Sequence, residues 1–332
     1  MKPILLASSL LAIATAPLAA AQTPAQPAPP PVYTPTSLAA EPGVPRTTDG
    51  RPDFQNAVWA TNFFPVFEAS PMAATLVVSE ADAKKMVDTM VMGIKQIPDF
   101  AIDPEAETII GGTDGLPLVR GERRSRLIVL PADGKMPLTP EARKIATAPY
   151  KERMDDYEQR PSGERCLALS GPPPAFAIIA YNRMQIIQTP QHLVIHAENG
   201  DEARIIPFAT EHKPAGPTSW FGDAIARWDG DTLVVETIRQ PQGEAIRGLF
   251  SKFLVNSDAK VIERFTRVSK EELLYQFTVE DPKTYTTPWL AEYSFYQTDT
   301  GMFPSACHEH NYSLPNILLG QRVADMRNAK TD

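Results

Sequence analysis

The side chains best suited to proton chemistry stand together near the C-terminus, in the run His308, Glu309, His310, Asn311 and Tyr312. A histidine and a carboxylate on a firmly held loop are residue types that serve as general base and general acid. We therefore predict His308 and Glu309 as catalytic residues and Asn311 and Tyr312 as substrate-binding residues. The alternative interpretation is that His308 and Glu309 hydrogen-bond the backbone around a disulfide formed by the preceding Cys307.

A second polar cluster surrounds a predicted hairpin turn, and its members are Glu198, Asp201, Glu202, Arg204 and His212. From this cluster we predict Arg204 and His212 as substrate-binding residues, because a cation can anchor an anionic group of a ligand. The alternative is a solvated turn with a surface ion pair, which contributes little to stability.

A third cluster combines two tryptophans with two charged residues, and its members are Trp220, Asp223, Arg227 and Trp228. An arginine and an aspartate beside indole rings can hold a sugar or an aromatic ring by stacking and hydrogen bonding. We therefore predict Trp220, Asp223 and Arg227 as substrate-binding residues. An Arg–Asp pair that joins neighbouring strands is an equally open interpretation.

Histidines at alternate positions raise the question of a metal site. His192 and His196 lie on one side of a predicted strand, and His308 and His310 share a side in the same way. Zinc binds such ligands, but nothing in the sequence indicates that the two pairs meet. The chain also lacks an HExxH helix, a Gly-x-Ser-x-Gly elbow, a phosphate loop, a dinucleotide glycine fingerprint and a C-x-x-C pair. We predict no metal and no cofactor.

The N-terminus predicts a cleavable export signal in residues 1–21. Lys2, the apolar run from Ile4 and the small residues Ala19 and Ala21 correspond to the three regions of a signal peptide. The unbroken apolar stretch is shorter than the roughly 20 residues that a membrane span needs. We therefore predict a periplasmic or secreted protein with no membrane insertion after signal cleavage. The alternative is an N-terminal membrane anchor.

The chain has 332 residues, which suffices for one large domain or two small ones. Residues 22–46 are rich in proline and predict an extended linker, and residues 47–325 are predicted to form a single β-rich domain. The formal net charge of −8 disfavours a nucleic-acid partner, which needs a basic face. The partner that we expect is a small-molecule ligand, and the composition leaves the oligomeric state open.

The chain contains two cysteines, Cys166 and Cys307. In an exported protein an isolated pair favours a disulfide over free thiols. Such a bridge would hold the His308–Tyr312 loop against the residues around Arg165. Two reduced cysteines buried far from each other are the alternative.

Helical and alternating patterns divide the chain into two parts. A capping box at Ser79 starts one predicted helix through Ile94, and Thr139 before Pro140 starts another through Ile145. Alternating or short apolar runs then predict antiparallel strands, at Phe176–Tyr181, Met184–Thr189, His192–Ala197, Ala203–Phe208, Ala226–Trp228, Thr232–Thr237, Lys260–Val268, Leu273–Glu280 and Pro288–Gln297. A sheet this long must curl, close or stack. We predict a mainly β fold, an antiparallel barrel or sandwich, with two or more helices from the N-terminal half.

Three sequence blocks are distinctive: Trp220-x-Gly222-Asp223 with Arg227-Trp228-Asp229-Gly230-Asp231-Thr232-Leu233-Val234-Val235, then Glu263-Arg264-Phe265-Thr266-Arg267, then Ala306-Cys307-His308-Glu309-x-Asn311-Tyr312. These blocks resemble a large family of exported, mostly uncharacterised bacterial proteins. The resemblance extends over about residues 47 to 320. It implies export and places both cysteines within family motifs, but it implies no particular reaction and no catalytic residues.

Some positions depart from the family pattern. Asp201-Glu202 stands where the family has His-Asp, and His310 stands where it has Gly, so we expect this chain to take a different ligand. The segment from Pro52 to Trp59 is similar to the Gly-x-Trp lead of lipocalin-like barrels, although Asn56 or Ala57 replaces the glycine. A lipocalin-like barrel is therefore one form that the predicted fold can take.

Taken together, the polar clusters and the export signal predict an exported protein that acts on a small organic molecule, glycan-derived or aromatic. The chemistry that we expect is cofactor-independent acid/base catalysis by a lyase, an isomerase or a hydrolase. The alternative is a periplasmic protein that binds a small ligand or serves as a scaffold without catalysis.

Overall fold

A computed structural model describes residues 38–61, 63, 66–96, 115–147, 156–160, 165–167, 183–214, 216, 219–240, 244–248, 251–309 and 311–329. These residues belong to one compact unit, Tyr33–Asp332. The predicted signal peptide and the predicted strand Phe176–Tyr181 lie outside the described residues, and both stay predictions.

Strands dominate the described part of the chain. They are β1 Val58–Ala60, β2 Leu118–Val119, β3 Glu122–Arg123, β4 Ile128–Leu130, β5 Arg183–Gln188, β6 His192–Ala197, β7 Glu202–Pro207, β8 Asp223–Asp229, β9 Thr232–Ile238, β10 Glu244–Gly248, β11 Ser251–Val255, β12 Lys260–Arg267, β13 Glu272–Glu280 and β14 Trp289–Thr298. The helices are α1 Glu80–Lys95, α2 Pro140–Thr147 and α3 Ser313–Asn328. Short 3₁₀ turns lie at Tyr157–Gln159 and Asn199–Asp201.

Ten strands pair in one antiparallel sheet, in the order β7-β6-β5-β1-β14-β13-β12-β9-β8, with β4 also paired to β14. The predicted mainly β, antiparallel fold is therefore confirmed. The strand ladder is not closed, since β7 and β8 are its two edges, and an isolated parallel bridge joins Phe208 to Ala226 near those edges. Closure into a barrel stays a prediction.

The two helices predicted from capping signals are confirmed. The Asp82 N–H donates to Ser79 Oγ at 3.1 Å at the start of α1, and the Ala142 N–H donates to Thr139 Oγ1 at 3.2 Å at the start of α2. Helix α3 was not predicted, because its apolar residues do not gather on one face and give no helical periodicity. Pro315 stands in the first turn of the helix, where proline is tolerated.

One face of the sheet carries the core. Residues at every second position of the central strands pack into a single aromatic-rich cluster, which includes Trp59, Phe265, Tyr275, Phe277, Trp289, Tyr293 and Phe295. We call this the inner face of the sheet. Helix α1 packs through Ala83 and Met86 onto a separate small cluster with Leu116.

The end of the predicted linker lies against the domain. Val44 is buried, the Ala40 N–H donates to Asp231 Oδ2 at 3.1 Å, and the Arg46 guanidinium donates to both oxygens of Asp231 at 2.9 Å. These contacts hold residues 38–46 beside the β8–β9 hairpin. No helix of the described residues has the length and apolarity that crossing a membrane requires.

Candidate functional site

The predicted disulfide is present, with Cys166 and Cys307 joined at a Cα–Cα distance of 5.7 Å. Next to it, the predicted catalytic residues His308 and Glu309 are both exposed. Within the described part of the chain, neither side chain makes a hydrogen bond or an ion pair, and His310 lies outside that part. The loop is thus held by the bridge, while the two side chains project into solvent.

The disulfide connects two of the predicted binding residues. The Asn311 side-chain amide donates to Cys166 Sγ at 3.1 Å. On the other side of the bridge, the Arg165 guanidinium lies over the Trp220 ring at 5.5 Å and over the Tyr157 ring at 5.3 Å. Because Arg165 is bonded directly to Cys166, the bridge fixes the cation that packs on Trp220.

Two residues predicted in different clusters, His212 and Asp223, meet at one polar centre. His212 Nδ1 lies 3.2 Å from Asp223 Oδ2, and His212 Nε2 lies 3.2 Å from Glu236 Oε1. Arg239 donates to the same oxygen of Asp223 and, at 2.7 Å, to the Lys213 carbonyl. We call His212, Asp223, Glu236 and Arg239 the His212 centre.

The His212 centre is partly sheltered, since the His212 side chain keeps 14% of its surface exposed and Glu236 keeps 30%. A carboxylate only accepts hydrogen bonds, and a neutral imidazole donates through one nitrogen alone. Both contacts of His212 are therefore hydrogen bonds only when the ring is an imidazolium or one carboxyl is protonated. At least one ring nitrogen therefore carries a hydrogen that it donates to the carboxylate facing it.

Backbone geometry brings these side chains together. The Gly222 N–H donates to the Ser219 carbonyl at 3.0 Å and closes the turn before β8. Gly222 has a φ of +70°, and a Cβ there would lie 2.6 Å from the Ile238 carbonyl oxygen, so only glycine fits. Arg239 also has a positive φ of 54°, which is strained for a residue with a side chain. Such strain persists only where surrounding contacts hold it, and here Asp223 and Lys213 do so.

The third predicted anchor, Arg204, lies elsewhere. It projects from β7 onto the inner face and binds Glu263 of β12 through two hydrogen bonds of 3.0 and 2.6 Å. The Tyr275 hydroxyl donates to the same carboxylate at 2.9 Å, and Glu263 is fully buried. The Arg204 charge is thus neutralised inside the protein and is not presented to solvent.

The tyrosines around this pair are held neutral. Burial, and next the negative charge of Glu263, raise the pKa of Tyr275 well above its ordinary value. The same two causes raise the pKa of Tyr293 well above its ordinary value. Both hydroxyls therefore stay protonated through the physiological range.

The remaining members of the predicted clusters have separate positions. Glu198 is almost fully buried and accepts from Arg183 at 3.1 Å and from the Phe303 N–H at 2.9 Å. His196 Nε2 contacts Asp201 Oδ1 at 2.8 Å. Glu198 thus pairs with Arg183, so it does not form a surface ion pair with Arg204.

Arg227, Tyr312 and Trp228 complete the predicted set. Arg227 is exposed on the face of β8 opposite the inner face of the sheet. Tyr312 is exposed directly before α3. Trp228 stacks on the Phe54 ring with a centroid distance of 5.9 Å. Arg227 therefore faces solvent on the same side of β8 as Asp223, whereas the Trp228 ring packs against other protein groups.

Sequence reasoning missed Glu236 and Arg239 of the His212 centre, and it missed Glu263. Glu236 interrupts the apolar run of β9, and Glu263 occupies an inward position between Val261 and Phe265. A charged residue inside an apolar or alternating run is a usable signal, because a buried charge needs a partner. Arg239 had no comparable signal, since it follows the end of its strand.

Among the described residues, no three His, Cys, Asp or Glu side chains are arranged to hold a metal ion. Comparisons with protein-family models, with curated proteins and with solved structures found no match to this chain.

Proposed function

We propose that this protein binds a small organic molecule and moves a proton on it without a cofactor, with His212 as the proton carrier. The observation that supports this proposal most directly is the His212 ring, held between Asp223 and Glu236 at 3.2 Å on each side. A general acid or base needs a fixed orientation and a proton within hydrogen-bond reach. His212 has both, whereas His308 has no partner among the described residues that orients it.

The neighbours of His212 have separate roles in this proposal. Asp223 orients the ring through Nδ1, and its own charge is balanced by Arg239. Glu236 is the more exposed carboxylate. When a ligand displaces it from the ring, Nε2 gives a proton to the ligand and the Glu236 carboxylate takes one from it, or the reverse. The pair of titratable groups can therefore act as acid and base in turn, as a lyase, an isomerase or a hydrolase requires.

Ligand contacts come from residues around the centre. Trp220 lies in the turn that leads to Asp223, and the face of its ring opposite Arg165 can stack on an aromatic or sugar group. Arg227 lies four residues beyond Asp223 on the same face of β8, a distance of about 13 Å along the strand. We assign Arg227 as the anchor for an anionic group, because Arg204 is neutralised by Glu263.

Binding without catalysis is a second candidate, and one observation favours it. Both ring nitrogens of His212 already contact carboxylates, so neither nitrogen is free to reach a substrate unless Glu236 moves. A passive binding protein would keep Glu236 in place after its ligand binds. The two candidates therefore differ in whether proton transfer to the ligand occurs.

The proposed setting is the periplasm, and the proposed architecture is a curled sheet that closes as a barrel. The disulfide supports an oxidising compartment, because such bonds persist in exported proteins. The bridge between Phe208 and Ala226 supports closure, because it joins the two edges of the sheet. An intact-mass measurement of protein secreted by its native route tests the first point, since cleavage predicts a chain that begins at Gln22.

The function is tested by incubating the protein in D₂O with panels of glycan-derived and phenolic compounds, without added cofactor. We expect deuterium incorporation into, or conversion of, at least one compound. His212→Gln should lower that rate by about 100-fold or more, the usual contribution of a general acid or base. His192→Gln is the matched control, because His192 is an exposed histidine on β6. Binding of a compound with no exchange and no conversion would favour the passive candidate.

A further inference from the structure

Gln240 follows Arg239 of the His212 centre in sequence, and its side chain is completely buried. Within the part of the chain that the structure describes, neither its Oε1 nor its Nε2 has a hydrogen-bond partner. Thr237 is also fully buried, and its Oγ1 has no partner there either. These two side chains therefore hold three polar atoms that no described protein group satisfies.

Buried polar atoms in folded proteins are almost always hydrogen-bonded, because removing them from water without a partner is unfavourable. A leucine or methionine at position 240 and a valine at position 237 would fill similar volumes without that penalty. Unpaired polar groups that lie beside a strained backbone are typical of functional sites. The strain here is the positive φ of Arg239, the residue before Gln240.

Both side chains lie against Gly222. The position of a Gly222 Cβ would be 2.8 Å from Thr237 Cγ2 and 3.1 Å from Gln240 Cγ. Gly222 is bonded to Asp223, Gln240 is bonded to Arg239 and Thr237 is bonded to Glu236. Each of the two buried side chains is therefore next in sequence to a member of the His212 centre.

We propose that Gln240 and Thr237 form a binding subsite for a neutral group that presents a hydrogen-bond donor beside an acceptor. A glutamine amide offers both Oε1 and Nε2, which matches a lactam, a primary carboxamide or a protonated carboxyl group. The subsite itself carries no charge, and the nearby charges of Asp223 and Arg239 are paired with each other. This inference rests on the proposed function, because the bound molecule is the one on which His212 acts.

The test uses two small probes of the same ring size, 2-pyrrolidinone and cyclopentanone, with binding measured by protein NMR titration. The lactam has an N–H beside its carbonyl, and the ketone lacks that donor. We expect the full chain to bind the lactam about tenfold more tightly than the ketone, the difference that one hydrogen bond provides. Equal affinity for the two probes, or no lactam binding, would overturn the subsite.

Two variants of similar volume locate the binding. Gln240→Met and Thr237→Val should each weaken lactam binding and leave ketone binding unchanged. Gln240→Met should melt no lower than the wild type, because it removes unpaired buried groups. Gln55→Met, at an exposed position, is the control and should bind as the wild type does. Unchanged lactam affinity in Gln240→Met, or a lower melting temperature without a loss of affinity, would contradict the proposal.

A third variant separates this inference from the proposed function. His212→Gln should still prefer the lactam, because the subsite does not include the imidazole. If the protein binds the lactam more tightly than the ketone but transfers no proton to any compound, the proposed function is contradicted and the subsite is not. Proton transfer that is unaffected by Gln240→Met would contradict the subsite alone.

Discussion

Arg204 of β7 and Glu263 of β12 are joined across the inner face of the sheet by two hydrogen bonds, of 3.0 and 2.6 Å. Strands β6, β5, β1, β14 and β13 separate these two strands in the sheet order. The contact therefore requires the sheet to curl until its β7 edge faces β12. It also removes Arg204 from the set of cations that can hold a ligand.

Breaking this pair should destabilise the protein strongly. Glu263→Gln leaves the Arg204 guanidinium buried without a counter-charge, and we expect a loss of about 3–5 kcal/mol in the free energy of unfolding. Urea denaturation measures this loss. The double variant Arg204→Met with Glu263→Leu should recover most of it, because the unpaired charge is gone. Asp88→Asn, in the exposed Lys84–Asp88 pair, is the control and should change stability very little.

Gly222 should be far less tolerant of substitution than Gly230. Both have a positive φ, of 70° and 60°, and alanine is strained in both places by about 1–2 kcal/mol. Only at Gly222 does the new Cβ meet another group, the Ile238 carbonyl oxygen, whereas the space around Gly230 is open. The free energy of unfolding should therefore fall further in Gly222→Ala. Equal losses in the two variants would show that the close approach does not exist.

Alkaline pH should unfold the protein through its buried tyrosines. Burial raises the pKa of Tyr275 and of Tyr293 well above the ordinary 10.0, so the folded state binds more protons than the unfolded chain above that pH. Their contribution to stability is fully present below about pH 10 and is lost as pH rises further. Absorbance at 295 nm should show one group of tyrosines that ionises only when far-UV circular dichroism is lost. Ionisation of all tyrosines in the folded protein would contradict this prediction.

The disulfide should contribute to stability and to the position of Trp220. Replacing Cys166 and Cys307 together by alanine should lower the free energy of unfolding by about 2–4 kcal/mol. It should also change the fluorescence of Trp220, because Arg165 is no longer held over its ring. A Trp220→Phe background identifies which part of the signal belongs to that residue. The bridge does not form if the double variant unfolds at the same midpoint as the wild type and the unreduced wild type has two thiols that can be alkylated.

Local patterns were sufficient for much of the fold. The alternation of Val261, Glu263 and Phe265 predicted β12, and Ser79 and Thr139 predicted the starts of two helices. Such signals act over a few residues, so one sequence contains them. The order of the strands in the sheet could not be predicted from the sequence. The short strand β1 lies between β5 and β14, and its position depends on contacts between residues far apart in sequence.

The candidate site was predictable as a set of residue types but not as an arrangement. His212 and Asp223 were both proposed, in different clusters, because the residues between them give no sign of their proximity. Their meeting depends on the turn at Gly222 and on the pairing of β8 with β9, which also brings Glu236 alongside. The sequence favours His308 and Glu309 as catalytic residues because they are adjacent. Adjacent residues on an exposed loop need not orient each other.

The central claim, that His212 carries the proton, is tested most directly by comparing His212→Gln with His308→Ala. The measurement is the initial rate of deuterium incorporation into the same compound at one pH, with both variants shown to be folded by circular dichroism. We predict a loss of about 100-fold or more in His212→Gln and a rate close to that of the wild type in His308→Ala. Full activity in His212→Gln together with loss of activity in His308→Ala would contradict the claim and assign the chemistry to the disulfide-held loop.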